Sequence, residues 1–238
     1  MTKRYLIKAA SEPISFGKAT PFPYHFLIVD KAGKQIKYFE TGRGKTFYTA
    51  IIRDDLQYYR HLHVKENHRS GIFTIPKLIF PDFGKYRLFA DFIPLDTDLA
   101  GLPHATATVD FLLPGQSEPK LLGSHERVQN FDIYEVTLET VPDPPRVGPV
   151  KFLFHVSVDN KVVTDFEDHL GSAGHLMIFR RSTLDYEHAV ARDDSGTNTL
   201  PALEFSATLP RPGVYKLFLE FRHREKTTTG DFLVKAAE

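Results

Sequence analysis

Histidine gives this sequence its clearest chemical possibility. The chain holds 11 histidines and no cysteine, and a neutral imidazole nitrogen is a common ligand of divalent transition metals. His61 and His63 occupy positions i and i+2 of a predicted strand, where side chains point to the same face. Both rings could therefore reach one ion, with Asp91 or His68 as the third ligand. The alternative is that the two histidines are exposed polar residues on a solvated strand face.

A second set of histidines lies in the C-terminal half of the sequence. His175 begins the predicted strand HLMIFRR, and His223 ends the predicted strand that starts at Gly213. In an immunoglobulin-like sandwich these strands would be antiparallel neighbours, so both rings would lie at one end of the domain. His188 occupies the position that corresponds to His61. The set His175, His188 and His223 is a candidate metal site, and the alternative is three half-buried imidazoles hydrogen-bonded to carbonyl groups.

The residue patterns of common enzymes are absent from the sequence. It contains no Gly-x-Ser-x-Gly elbow, P-loop, Gly-x-Gly-x-x-Gly fingerprint, His-Glu-x-x-His motif or EF-hand loop. The adjacent carboxylates at 54–55 and 193–194 fall in predicted turns, where aspartate is favoured because its side chain accepts backbone hydrogen bonds. We therefore predict a non-enzymatic protein with no catalytic residues.

The elements that would position these side chains occur twice along the chain. FPDFGKYRLFADF at 80–92 matches LPRPGVYKLFLEF at 209–221, at an offset of 129 residues. After a brief slip of this register, RDDLQYYRH at 53–61 matches RSTLDYEH at 181–188. Because several matches follow one another in the same order, they indicate an internal duplication.

The repeated segments have the alternation that is typical of half-buried strands. Apolar residues occupy every second position of 86–92 and of 215–221, as expected for strands with one buried face. A Pro-x-x-Gly turn precedes each segment, and the following Gly-x-Tyr resembles a tyrosine corner, in which the tyrosine hydroxyl binds the preceding loop. Further strands are predicted at 24–30, 46–53, 72–79, 105–112, 133–139, 151–158, 174–181, 203–209 and 230–235.

These strands predict the fold class and the domain organisation. Turn residues separate the strands at roughly 8–12-residue spacing, as in β-sandwiches, and no long segment has helical periodicity. We predict an all-β protein of two tandem immunoglobulin-like β-sandwiches that arose by internal duplication. The first sandwich repeat would span 1–113, a polar linker 114–131, and the second sandwich repeat 132–238.

Composition narrows the classes of partner. The chain carries 30 basic and 30 acidic residues, and this balance removes the electrostatic argument for nucleic acid or an anionic membrane as a partner. No run of apolar residues is long enough to predict a membrane span. The start MTKRYLIKAASEP has no apolar run of signal-peptide length, so we expect either a cytosolic protein or a chain that begins after a removed leader. A metal ion or a protein partner remains, and the sequence leaves the oligomeric state open.

Two segments, GSAGHLMIFRRSTLDYEH and PGVYKLFLEFRH, resemble the second half of bacterial tandem β-sandwich proteins of the YtkA-like or FixH-like group. RDDLQYYRHLHV and FGKYRLFADFIP are similar to the first half of that group, so the resemblance covers nearly the whole chain. It implies a periplasmic or secreted protein that binds metal and has no enzymatic activity.

The same resemblance implies particular metal ligands. The group's pattern has a histidine after an alanine and glycine step, a His-x-His-Pro segment, and a histidine that closes the Leu-Phe-x-x-Phe strand. Val64 stands in place of the proline, and Val190 stands where the second repeat would carry a further histidine. The matching positions in this chain are His175, His61 with His63, His188, and His223.

The ligand types also predict which metal would bind. Imidazole ligands without thiolate, and only two methionines in the chain, favour Cu(II) or Zn(II) over Cu(I), and the lack of a thiolate excludes a blue-copper centre. Affinity should fall as the pH drops through about 6.5, where imidazole becomes protonated. We therefore expect a β-sandwich protein that binds copper or zinc in metal handling. The alternative is an adhesion or interaction module whose loops contact a protein or a glycan without metal.

Overall fold

A computed structural model describes residues 5–10, 16–40, 47–62, 64–95, 105–118, 122–191 and 201–238. Every element of regular secondary structure assigned in these residues is a β-strand, as the alternating pattern predicts. None of the described segments forms an apolar helix of membrane-spanning length. The chain divides into two compact units, Met1–Lys120 and Leu121–Glu238.

The first unit is a sandwich of two antiparallel sheets. One sheet has the order β1-β2-β7-β6, with β3 also paired to β2, and the other has the order β5-β4-β8-β9. The sheets enclose one core, in which Phe26, Phe73, Phe80 and Phe92 are fully buried. The strands are β1 (Tyr5–Ala9), β2 (Phe22–Asp30), β3 (Gln35–Ile36), β4 (Phe47–Arg53), β5 (Tyr59–Leu62), β6 (Lys65–Asn67), β7 (Ile72–Leu78), β8 (Gly84–Phe92) and β9 (Ala105–Leu113).

The second unit is a sandwich of the same kind. One sheet has the order β10-β11-β12-β13, with β16 also paired to β12, and the other has the order β15-β14-β17-β18. Its separate core contains the fully buried rings of Phe152, Phe154, Phe205 and Phe221. The strands are β10 (Val128–Phe131), β11 (Tyr134–Val141), β12 (Gly148–Val158), β13 (Lys161–Val162), β14 (Gly174–Arg180), β15 (Tyr186–Val190), β16 (Leu203–Leu209), β17 (Gly213–His223) and β18 (Lys226–Ala236).

The two sandwiches share one plan of strand pairing. The order β5-β4-β8-β9 recurs as β15-β14-β17-β18, and the pairing of β2 with β1, β3 and β7 recurs as that of β12 with β11, β13 and β16. Phe47 pairs with Phe92 in the first sandwich, as Gly174 pairs with Phe221 in the second. Equivalent residues are therefore 221 − 92 = 129 apart in one strand and 174 − 47 = 127 apart in the other. The predicted pair of immunoglobulin-like sandwiches from an internal duplication is confirmed.

A tyrosine corner begins the same strand in both sandwiches. The Tyr86 hydroxyl donates to the carbonyl oxygen of Asp82 at 2.6 Å, and the Tyr215 hydroxyl donates to the carbonyl oxygen of Arg211 at 2.6 Å. Each bond joins the strand to the loop before it, as the Gly-x-Tyr step predicts.

The end of the segment predicted as a linker packs on the second sandwich. β10 takes up the last four residues of 114–131 and pairs with β11. The Phe131 ring lies against Gly230, where an added Cβ atom would come within 2.4 Å of the ring. Lys216 Nζ also donates to the carbonyl oxygen of Leu122 at 3.0 Å. The described part of the predicted linker from Leu122 onward therefore makes contacts with the second sandwich.

Candidate metal centre

The candidate site lies on the outer face of the sheet β15-β14-β17-β18. Because side chains alternate along a strand and Leu176 belongs to the core, His175 points to the outer face. His175 lies directly opposite Glu220 of β17. Met177, two residues along β14, lies directly opposite His188 of β15. Opposite residues in antiparallel strands share a face, so these four side chains belong to one surface of the sheet.

Two imidazoles meet in the centre of this surface. His175 Nδ1 and His188 Nε2 are 3.0 Å apart, and the rings are stacked with centroids 5.3 Å apart. The other nitrogen of His175, Nε2, lies 2.7 Å from the carbonyl oxygen of His169. A carbonyl oxygen only accepts hydrogen bonds, so Nε2 carries the proton, and Nδ1 of the neutral ring presents its lone pair toward His188.

A third histidine and a carboxylate border this pair. His169 Nε2 lies 3.5 Å from Glu220 Oε2, and both side chains are 10% exposed. The His169 ring stands nearly perpendicular to the His175 ring at a centroid distance of 5.6 Å. We call His169, His175, His188 and Glu220 the outer-face cluster.

The loop that carries His169 is fixed by two sets of contacts. His169 N–H donates to the Ser172 carbonyl oxygen at 2.7 Å across a tight turn. Next to this turn, Glu167 accepts from the Glu225 backbone N–H at 2.8 Å and from Arg222 Nε at 2.9 Å. These donors lower the pKa of Glu167, the backbone bond being the larger cause. The loop is thereby anchored to the β17–β18 turn, which holds His169 beside β14.

The structure separates His223 from the other two histidines of the predicted set. β14 and β17 are antiparallel neighbours, as predicted, and His223 lies at the same end of the sheet as His175. However, His223 has the parity of Phe221, which faces the core, whereas His175 faces outward. Its ring nitrogens lie 2.9 Å from the Tyr134 hydroxyl and 3.3 Å from Asp165 Oδ1. His223 therefore does not join the outer-face cluster.

The first sandwich carries a related surface. His61 lies on the outer face of the sheet β5-β4-β8-β9, and its ring centroid is 6.0 Å from that of Tyr48. Tyr48 lies directly opposite Asp91, which accepts from the Thr106 hydroxyl at 3.3 Å. His68, the other suggested ligand, is 80% exposed and lies 3.3 Å from Glu66. His63 lies outside the described residues.

Strand register aligns the two surfaces residue by residue. Tyr48 and Asp91 form the pair that corresponds to His175 and Glu220. The pair of Ala50 with His61 corresponds to that of Met177 with His188. The sequence reasoning missed Glu220, although the repeat offset that links it to Asp91 is visible in the sequence. It also missed His169, which lies outside any strand and has no periodic signal.

One surface depression of the second sandwich lies away from these residues. It has a volume of about 420 Å³ and is lined in part by Val150, Glu187 and Thr208. The depression contains none of the predicted site residues.

Comparisons with known proteins leave the function of the chain open. Residues 128–238 match a family model described as a domain of unknown function, DUF8832. This match covers the second sandwich only and begins at the first residue of β10. No curated protein matches the chain.

Several solved structures show a weak likeness. A marsupial T cell receptor is 10% identical with a TM-score of 0.28, over 96% of this chain and 63% of that chain. Dimeric latent PorU from Porphyromonas gingivalis is 14% identical with a TM-score of 0.28, over 97% of this chain and 20% of that chain. An amphioxus IgVJ-C2 molecule is 10% identical with a TM-score of 0.21, over 93% of this chain and 99% of that chain. The chain thus spans less than two thirds of the first two, and the resemblance to the YtkA-like or FixH-like group stays a prediction.

Proposed function

We propose that the second sandwich binds a divalent transition metal ion, Cu(II) or Zn(II), through the imidazoles of His175 and His188. The protein would act in metal handling and not as an enzyme. The observation that carries this proposal is the 3.0 Å separation between His175 Nδ1 and His188 Nε2.

The separation suits two ligands of one ion. Nitrogen atoms bind Zn(II) at about 2.0–2.1 Å, and two such bonds with their nitrogens 3.0 Å apart enclose an angle of about 95° at the metal. This angle is closer to the tetragonal arrangement of Cu(II) than to a tetrahedron. A small outward movement of either ring would reach the tetrahedral angle that Zn(II) prefers.

The surroundings of His175 support the same role. A metal-binding histidine commonly donates its second ring N–H to a backbone carbonyl or a carboxylate, which fixes the tautomer and the orientation of the ring. His175 has this arrangement, since its Nε2 lies 2.7 Å from the His169 carbonyl oxygen. The lone pair of Nδ1 is thereby directed at the position of the ion.

Glu220 and His169 are the residues that would complete the ligand set. Glu220 lies opposite His175 in the neighbouring strand, where Cβ atoms are about 4.5–5.5 Å apart. Its carboxylate would also reduce the net positive charge of a bound divalent cation, while His169 lies 3.5 Å from that carboxylate.

Titration calorimetry of the metal-free full chain with CuCl₂ and ZnCl₂ tests the proposal. We expect one ion per chain, and a loss of affinity of about tenfold or more in His188→Ala and in His175→Ala. His155→Ala is the matched control, because His155 is 42% exposed on the opposite sheet of the same sandwich.

The half-buried His188 is the safer of the two positions to change, and circular dichroism would confirm that each variant stays folded. Electron paramagnetic resonance of the Cu(II) form should show nitrogen coupling that weakens in His188→Ala. Equal binding by the wild type and both variants, or no binding at all, would refute the proposal and favour the metal-free interaction module.

A further inference from the structure

Met177 is the only methionine of the chain other than Met1, and it lies on the outer face beside the imidazole pair. It follows His175 by two residues on β14 and lies directly opposite His188 on β15. On its other side it pairs with Phe218 of β17. Strand register therefore makes Met177 a neighbour of both proposed metal ligands on the same face of the sheet.

The side chain of Met177 is held in place at its sulfur atom. The Tyr186 hydroxyl lies 3.5 Å from Met177 Sδ and donates to it. Met177 is fully buried, yet it does not belong to the hydrophobic core that contains the two neighbouring residues of β14. Its burial is thus separate from the packing of the two sheets against each other.

The fold does not require methionine at this position. The first sandwich has the same strand pairing with Ala50 in the equivalent place, opposite His61. The same copy carries Tyr48 in the position of His175. At these two equivalent positions the second repeat therefore carries an imidazole and a thioether, whereas the first carries Tyr48 and Ala50, which associates the two side chains of the second repeat with one role.

We propose that Met177 supplies a sulfur ligand to the site of His175 and His188, and that the site binds copper as Cu(I). This inference rests on the proposed function, since it keeps the same two imidazole ligands and adds Cu(I) to the ions that they bind. Thioether sulfur is a soft ligand that selects Cu(I) and contributes little to Zn(II). This proposal departs from the expectation from sequence, in which imidazole ligands, no cysteine and only two methionines favoured Cu(II) or Zn(II) over Cu(I).

Competition between the full chain and the Cu(I) chelator bicinchoninate, without oxygen, tests the inference. Met177→Leu keeps the apolar volume and removes the sulfur. We expect it to weaken Cu(I) binding by about tenfold or more and to leave Zn(II) affinity unchanged. His188→Ala should weaken the binding of both metals.

X-ray absorption of the Cu(I)-loaded wild type provides a readout that does not depend on affinity. We expect a copper–sulfur distance in the wild type and none in Met177→Leu. If Zn(II) and Cu(I) bind but Met177→Leu changes neither the Cu(I) affinity nor the spectrum, the inference on Met177 is wrong and the proposed function stands. If neither ion binds the wild type, the proposed function itself fails.

Discussion

The hydroxyl of Tyr134 and Nδ1 of His223 lie 2.9 Å apart in the interior of the second sandwich. His223 Nε2 faces the Asp165 carboxylate at 3.3 Å, and a carboxylate accepts hydrogen bonds, so the tyrosine donates to Nδ1. Tyr5 is the equivalent residue of the first sandwich, and both rings pack edge-on against a phenylalanine, Phe92 or Phe221. The buried Tyr5 hydroxyl has no hydrogen-bond partner among the described residues.

This difference predicts opposite effects of the same substitution in the two repeats. Tyr134→Phe removes a buried hydrogen bond and should lower the free energy of unfolding of the second sandwich by about 1 kcal/mol. Tyr5→Phe removes a buried hydroxyl that lacks a partner and should be neutral or slightly stabilising. Urea unfolding, followed by tyrosine fluorescence and circular dichroism, measures both. Equal losses in the two variants would contradict the assignment.

His223→Ala should act on stability and not on metal binding. The substitution leaves the Tyr134 hydroxyl without its acceptor, so we expect a loss of about 1–3 kcal/mol in the free energy of unfolding. Zn(II) affinity, measured by calorimetry at a temperature where the variant is folded, should match that of the wild type. A loss of affinity as large as in His188→Ala would show that His223 is a metal ligand and would contradict this prediction.

The carboxylate of Asp82 makes the first sandwich sensitive to acid. Lys18 Nζ at 2.9 Å, the Phe83 backbone N–H at 2.9 Å and Arg53 at 3.2 Å lower the pKa of Asp82 to about 2. A carboxyl with a folded pKa below its unfolded value stabilises the fold above about pH 4 and loses this contribution as the pH falls toward 2. The wild type should therefore lose its stability advantage over Asp82→Asn between pH 4 and pH 2, as urea midpoints would show. Arg211→Gln, at the equivalent position of the second copy, removes no carboxylate and serves as the control.

Tyr48→His should build a second metal site. The substitution places an imidazole at the position of His175, on the strand that neighbours His61, with Asp91 opposite. We expect the number of Zn(II) ions bound per chain to rise from one to two in calorimetric titration, with Tyr48→Phe as the control that adds no ligand. An unchanged number would show that the equivalence of the two outer faces does not extend to metal binding.

The strands and the duplication could be predicted from the sequence because each strand has a local residue pattern that is typical of its structure. Alternation in 86–92 and 215–221 fixes which side chains face the core, and the tyrosine corners follow from a local Gly-x-Tyr step. Strand order then brought His175 and His223 to the same end, as predicted. The face of the sheet on which each imidazole lies could not be predicted without the strand register, because a shift of one residue moves every side chain to the opposite face.

The position of His169 in the outer-face cluster depends on contacts that no local pattern encodes. His169 reaches the cluster because Glu167 and Arg222 join its loop to a hairpin more than 50 residues later. Met177, which is not a member of this cluster, was predictable as its neighbour, because the i+2 spacing from His175 places both residues on one face of the strand.

The possession of two separate cores has a thermodynamic consequence. A ligand stabilises the folded state that holds its site, by about 2.7 kcal/mol when its free concentration is 100 times Kd. Heating with and without metal should therefore raise the calorimetric transition in which the core of the second sandwich unfolds. The melting temperature of the core that contains Leu176 and Ile178 thus reports the occupancy of the site.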